Sequence, residues 1–362
     1  MILNRFFHKR NFSDVTLHPF VYLKPSLGIS CFLILLLLLP QVLLLILTKS
    51  YSSLYIILST LLASVASECV FLLLKKQFKY SFLIAIIQGL ITGFLLPATY
   101  SPLAVFFIAI TVFFLTKYSF GGFASSWINP TVVTVITCYI LNTAIFPDFL
   151  LTHDDLQSRN AALYLIQRGS VPLIPLDSQI TAFLNKNIFS YLGIVIPEGY
   201  VSLFWDCGSA IPAFRFNFIT LVSSIILFSF ELLDILIPTV YILTYSILVR
   251  FVGPFFTGGA AFQGDIILCL LTSGTLFSTL YVLQWYGTTP VTRRGKSLYA
   301  FLAGLLSFFI MGYGTSTVGY MYVILTMNIL SLLIQVSESH RARKKIENVL
   351  VPRLSELEAE NV

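Results

Sequence analysis

Long apolar runs separated by short polar joints make up most of this chain. About 20 mostly apolar residues suffice to cross a bilayer as a helix. Ten stretches are read as spans on that basis: 26–48, 53–74, 80–97, 101–117, 127–147, 216–232, 235–252, 264–284, 297–312 and 316–336. The first run is too long for a cleavable signal, and no small-residue cleavage site follows it. The expected fold is an all-α polytopic membrane protein. Five segments follow: a cytoplasmic N-terminal arm (1–25), a first five-helix unit (26–147), an outward-facing loop region (148–215), a second five-helix unit (216–336) and a cytoplasmic tail (337–362).

The two units look weakly alike. "SFLIAIIQGLITGFLL" is followed by Ser101-Pro102, and "GDIILCLLTSGTLFSTL" by Thr288-Thr289-Pro290. Each of these stretches has two spans before it and two after it. Five is an odd number, so a second copy enters the membrane upside down. Inverted repeats of this kind place sites at the interface between the halves, often at interrupted helices.

Composition agrees with a membrane protein. The chain of 362 residues is 57% hydrophobic and 10% charged, with a mean hydropathy of +0.88. Soluble domains carry about 25% charged residues, and disordered chains carry still more charge with little apolar content. Both classes are excluded. The net charge of +6 does not point to nucleic acid, because the basic residues flank the apolar runs and report topology. Most of the 22 fall on one side: Arg5, Lys9, Arg10, Lys24, Lys75, Lys76, Lys79, Lys117, Arg293, Arg294, Lys296 and the tail from Arg341. The short loops opposite hold only Lys49 and Arg250. Both termini are expected in the cytoplasm, with 148–215 outside.

Little else in the chain carries chemistry alone. The five cysteines are scattered and read as small buried hydrophobes. The four histidines lie outside the apolar runs, which argues against a haem between helices. No P-loop, hydrolytic triad or dinucleotide fingerprint occurs. Glycine and proline interrupt the two halves at matching places. One half has Gly89, Gly93, Pro97 and "FGGFASSWINP"; the other has "GGAAFQGD", Gly274 and "MGYGTSTVGY". These interruptions fit close helix packing, and equally a cofactor cavity or ion path lined by irregular backbone. Gly121, Gly122, Asn129 and Gly274 are the cavity candidates. Among intramembrane charges, Glu68 and Asp265 are the ion-path candidates, with a helix cap as the other role open to Asp265. Lys117 is expected to reach water from a span end, and Glu231 and Asp234 to lie solvated in a short loop.

Four stretches carry a resemblance: "TGFLLPATYSPL" (92–103), "KYSFGGFASSWINPTVV" (117–133), "GDIILCLLTSGTLF" (264–277) and "TTPVTRRGK" (288–296). In this order and spacing the chain resembles the RnfD/NqrB family, the flavin-carrying membrane subunits of ion-translocating oxidoreductase complexes. The resemblance covers about residues 20–336. It implies two inverted five-helix halves, partner subunits in a membrane electron-transfer complex, and coupling of electron flow between ferredoxin, NAD or related carriers to Na⁺ or H⁺ movement. It also implies FMN joined by a phosphoester to an outward-side threonine, and a second, non-covalent flavin. The family's attachment motif reads roughly Asp-x-x-Ser-Gly-Ala-Thr. Here the nearest stretch is "DSQITAF", in which Asp177 and Ala182 match and Phe183 stands at the acceptor position. Thr181, two residues earlier, is the nearest candidate acceptor. Trp285 and the stretch "GSAIPAF" also depart from the family pattern. Competing readings are a cofactor-free channel or transporter of a small solute, and a structural membrane scaffold.

Overall fold

The structure, a computed structural model, describes residues 25–75, 81–122, 127–147, 161–257, 262, 264–312 and 316–360. All regular elements among the described residues are helices. The first half contains α1 (Leu27–Leu47), α2 (Tyr51–Lys75), α3 (Ser81–Leu95), α4 (Pro102–Phe113) and α5 (Pro130–Leu141). The segment that follows adds α6 (Ala161–Gln167), α7 (Asp177–Asn187) and α8 (Tyr200–Trp205). The second half contains α9 (Asn217–Ser229), α10 (Leu236–Ile247), α11 (Ile266–Thr272), α12 (Thr275–Tyr281), α13 (Arg293–Met311) and α14 (Gly319–Glu360). The protein is an all-helical polytopic membrane protein.

Among the described residues, four stretches of helix are long and apolar enough to cross a membrane: Leu27–Leu47, Tyr51–Leu74, Leu236–Phe256 and Gly319–Asn348. Phe82–Leu95, Pro102–Tyr118, Pro130–Leu141 and Asn217–Ser229 are apolar but shorter. Irregular backbone joins them, which the bilayer accepts only where protein satisfies its polar groups. The expected span 264–284 is two seven-residue helices, α11 and α12, broken at Ser273-Gly274. Gly274 has φ +65, a left-handed conformation that costs other residues roughly 1–2 kcal/mol. α4 and α10 each run on through a π turn, at Phe114–Tyr118 and Leu248–Val252. The last span and the tail form one continuous helix, α14, instead of two pieces.

The packing explains several of the glycines. Gly89 and Gly93 lie four apart on α3 and face α2, where added Cβ atoms would come within 2.7 Å of Leu61 Cα and 2.6 Å of Ile57 Cα. The close approach lets Thr60 Oγ1 donate to Gly89 O at 2.9 Å and Ser64 Oγ to Ala85 O at 2.7 Å. Small residues that bring backbones together are the usual device for packing helices in lipid. For these two residues the packing reading holds.

Within the halves, α2 packs on α4 and α10 on α13. Between them, α1 meets α9 and α5 meets α14. Gln41 Nε2 donates to Thr220 Oγ1 at 3.0 Å across the α1–α9 contact. On the cytoplasmic side of the charge pattern, Asp234 is not the freely solvated residue expected. Its Oδ2 lies 2.6 Å from Lys296 Nζ, and its Oδ1 accepts from Leu236 N at 3.0 Å. Partial burial pushes this carboxyl up, but the hydrogen bonds from Lys296 and Leu236 outweigh it and hold the group below its ordinary value.

Candidate functional site

The predicted residues gather at three places. At the first, Glu68 projects from α2 toward the π turn that ends α4. Lys117 Nζ lies 2.7 Å from Glu68 Oε2, and Tyr118 OH donates to the same oxygen at 2.6 Å. Lys117 also donates to Tyr118 OH at 3.2 Å. The wider π turn lowers the angle between successive side chains, so neighbours in sequence reach one carboxylate. Lys117 is 1% exposed and Glu68 0%. The expectation that Lys117 reaches water is therefore corrected. A charge inside the membrane part is tolerable when paired, and Glu68 supplies the counter-charge. Gly121 and Gly122 follow directly, at φ +102 and +103, and their N–H groups bond back to Tyr118 O and Lys117 O at 3.1 and 3.0 Å. A Cβ on Gly122 would come within 3.1 Å of the Phe71 ring, which itself packs on Tyr118. These two glycines close the turn over the ion pair; the neighbouring 123–126 lie outside the described residues.

At the second place, Asn129 sits buried on the seam between the halves. Its Oδ1 caps α5 by accepting from Thr131 N at 3.0 Å, and its Nδ2 donates to Val282 O at 3.2 Å. With the Asn328 amide oriented to satisfy its surroundings, Asn328 Oδ1 on α14 accepts from Asn129 N at 3.0 Å. Nearby, Phe94 and Phe277 meet with ring centroids 5.6 Å apart. Gly274 does not line a cavity at this seam. A Cβ there would lie 2.2 Å from the Phe214 ring, so the break in the helix is plugged by an aromatic side chain.

The third place is the outward segment. Asp177 is buried and accepts four hydrogen bonds: from Thr181 Oγ1 at 3.1 Å, Gly199 N at 3.0 Å, Ser202 N at 2.7 Å and Ser202 Oγ at 2.5 Å. It ties the start of α7 to the start of α8. Thr181 is 3% exposed, whereas Phe183 is 62% exposed. Thr181 lines an apolar cavity of about 460 Å³ between α7, α8, α9 and α11. Asp265 borders it. One of its oxygens caps α11 by accepting from Leu268 N at 3.0 Å, and the other accepts from Tyr200 OH. The cap is thus part of what Asp265 does. Gly258–Ala261 and Gln263, which precede it, lie outside the described residues, as do 313–315.

The profile of the NQR2, RnfD, RnfE family matches residues 14–344. The chain belongs to this family. It is similar to the D component of the Na(+)-translocating ferredoxin:NAD(+) oxidoreductase complex of Acetobacterium woodii, at 27% identity over an alignment of 287 positions that covers 76% of this chain and 77% of the relative. It is also similar to the D component of the ion-translocating oxidoreductase complex of Citrobacter koseri, at 22% identity over 316 positions, covering 77% of this chain and 84% of the relative.

For this member of the NQR2, RnfD, RnfE family, the residues near Thr181 do not fit a phosphoester-linked FMN. The Thr181 hydroxyl is buried and donates to Asp177, so it is not presented at the surface as an acceptor. Phe183 is reachable but has no oxygen. The hydroxyls on the cavity wall, those of Thr181 and Tyr200, both have hydrogen-bond partners already. Sequence reasoning also missed the roles of Lys117, Tyr118 and Asp177. The 49-residue separation of Lys117 from Glu68 leaves no pattern in the chain that pairs them.

Proposed function

We propose that this chain is the D component of an ion-translocating oxidoreductase complex in a bacterial inner membrane, with both termini cytoplasmic. The observation that carries the reading is the family match over 14–344 together with two relatives named as that component. The activity belongs to the assembled complex: electron transfer between carriers such as ferredoxin and NAD, coupled to movement of Na⁺ or H⁺. The chain contributes membrane scaffold, ion path and a flavin. A flavin bound without a covalent link suits these residues better than a phosphoester, given the burial of Thr181 and the phenylalanine at position 183.

Of the two ion-path candidates, Glu68 is favoured. Asp265 spends both oxygens on the α11 cap and Tyr200. Glu68 is a carboxylate inside the membrane part whose counter-charge is a lysine side chain, and such groups mark ion routes by default.

The test is the visible spectrum of the purified complex, followed by in-gel flavin fluorescence of this chain after full denaturation. The expected result is flavin absorbance in the native sample and no fluorescent band. A fluorescent band lost in Thr181→Ala would establish covalent FMN there instead. A colourless protein that moves a small solute in liposomes would favour the cofactor-free transporter.

A further inference from the structure

We infer that the outward cavity is a binding site for the acyl chain of a bilayer lipid. The cavity holds about 460 Å³, within the range of ordinary ligand pockets, roughly 300–1,000 Å³. Its wall is aliphatic and aromatic except for the hydroxyls of Thr181 and Tyr200 and the indole N–H of the half-exposed Trp205. Both hydroxyls are engaged, one on Asp177 and the other on Asp265. A polar ligand entering here would leave most of its own hydrogen-bonding groups unpaired, which disfavours it. A hydrocarbon chain has no such groups to lose.

The position of the mouth selects the source of that chain. Phe218 stands in the first turn of α9, and Ile267 in the first turn of α11, so the cavity lies at the outer end of the membrane helices. Ile180, Trp205, Phe218 and Ile267 are large apolar side chains left exposed around it. From Phe218 the exposed apolar surface continues down α9 through Leu221, Val222 and Ile225. Those residues are spaced three, four and seven beyond Phe218, one face of a helix. The cavity mouth therefore opens onto a continuous lipid-facing stripe, and the molecule already lying against that stripe is an outer-leaflet lipid.

The inference is tested with the full chain in phosphatidylcholine vesicles doped with phosphatidylcholine carrying a diazirine on its acyl chain. After irradiation, the cross-linked residues are mapped by mass spectrometry. Labelling is expected at Leu184, Val201 or Phe204 inside the cavity, and at the control Leu43 on the exposed face of α1. Ile267→Trp at the mouth and Val201→Trp inside should each abolish the cavity labels and keep Leu43 labelled. The mouth position is exposed, so that variant keeps the test independent of core disruption. Labelling of Leu43 without any cavity label would overturn the inference. So would cavity labels that both variants leave unchanged. Cavity labels present in the isolated chain but absent from membranes holding the assembled complex would overturn it in favour of a partner polypeptide. The flavin assays above do not use this readout, so either reading can fail alone.

Discussion

Lys117 Nζ and Glu68 Oε2 lie 2.7 Å apart with both side chains sealed from solvent, so α2 and α4 are joined by an ion pair inside the membrane part. Removing one partner leaves the other charge uncompensated, a change that costs roughly 3–5 kcal/mol at buried pairs. Lys117→Met is therefore expected to lower the thermal unfolding midpoint of the detergent-solubilised protein sharply. The double variant Glu68→Gln, Lys117→Met should recover most of that loss while abolishing ion translocation by the reconstituted complex. A double variant that still pumps would remove Glu68 from the ion path.

The glycine at the helix break answers to packing against a ring. Gly274→Ala would place a Cβ 2.2 Å from Phe214 at a left-handed φ. Overpacking of this kind costs about 1–3 kcal/mol, with the conformational cost added. Pairing it with Phe214→Leu should restore part of the stability, measured by thermal unfolding. No restoration would mean that the strain, not the ring, sets the cost.

Asp177 is expected to hold the outward segment together. Asp177→Asn loses the charge that strengthens its four hydrogen bonds, and charge-assisted bonds are roughly twice as strong as neutral ones. Limited proteolysis from the outer side should then cut between Ser170 and Gly199 faster than in wild type. Unchanged cleavage would show that the segment is held by its apolar contacts alone.

The Asp234–Lys296 pair predicts a small acid dependence. Its carboxyl sits below the ordinary value, so its stabilising contribution is complete above the unfolded value near pH 4 and fades as pH falls through the folded one. The pair is only partly buried and stays in reach of solvent, so the expected size is about 0–1 kcal/mol. Asp234→Asn should remove that contribution at neutral pH, where it is complete, and leave a stability profile that is flatter below about pH 4.

Topology follows from charge. Reporter fusions at Arg294 and after Glu360 should read cytoplasmic, and a fusion at Asp155 should read outside. An outward Arg294 would reverse the orientation of the entire chain.

How far the chain could be read depended on the range of each signal. The apolar runs are local and point directly to membrane helices; the Gly89–Gly93 spacing is local too, but it left close packing and a cavity equally open, and only the backbone of α2 at Ile57 and Leu61 decides between them. The Asp265 cap was legible for the same reason, because a carboxylate immediately before an apolar run is a local pattern. The partner of Glu68 was not. It depends on a π turn at the end of α4, and nothing in "FLTKY" marks one. Thr181 was sought as an exposed acceptor. Its burial follows from Asp177 collecting donors from Gly199 and Ser202, more than 20 residues further along the chain. The break at Gly274 falls inside a run apolar enough to read as one span, and only the ring of Phe214, 60 residues earlier, explains why a glycine stands there.

α14 is 42 residues long, and at 1.5 Å per residue it extends about 63 Å, twice the hydrocarbon thickness of a bilayer. It leaves the membrane without a joint. Glu338, just beyond the apolar part, grips the N-terminal turn of α13 through Thr292 and the Val291 N–H. That grip acts as a fulcrum. The helix is then pinned near its middle, with one arm set among the spans and an arm of similar length running on to Glu360. A tilt of about 10° about that contact would swing the Glu360 end by roughly 6 Å, so a motion among the spans would reach whatever stands beside the far end.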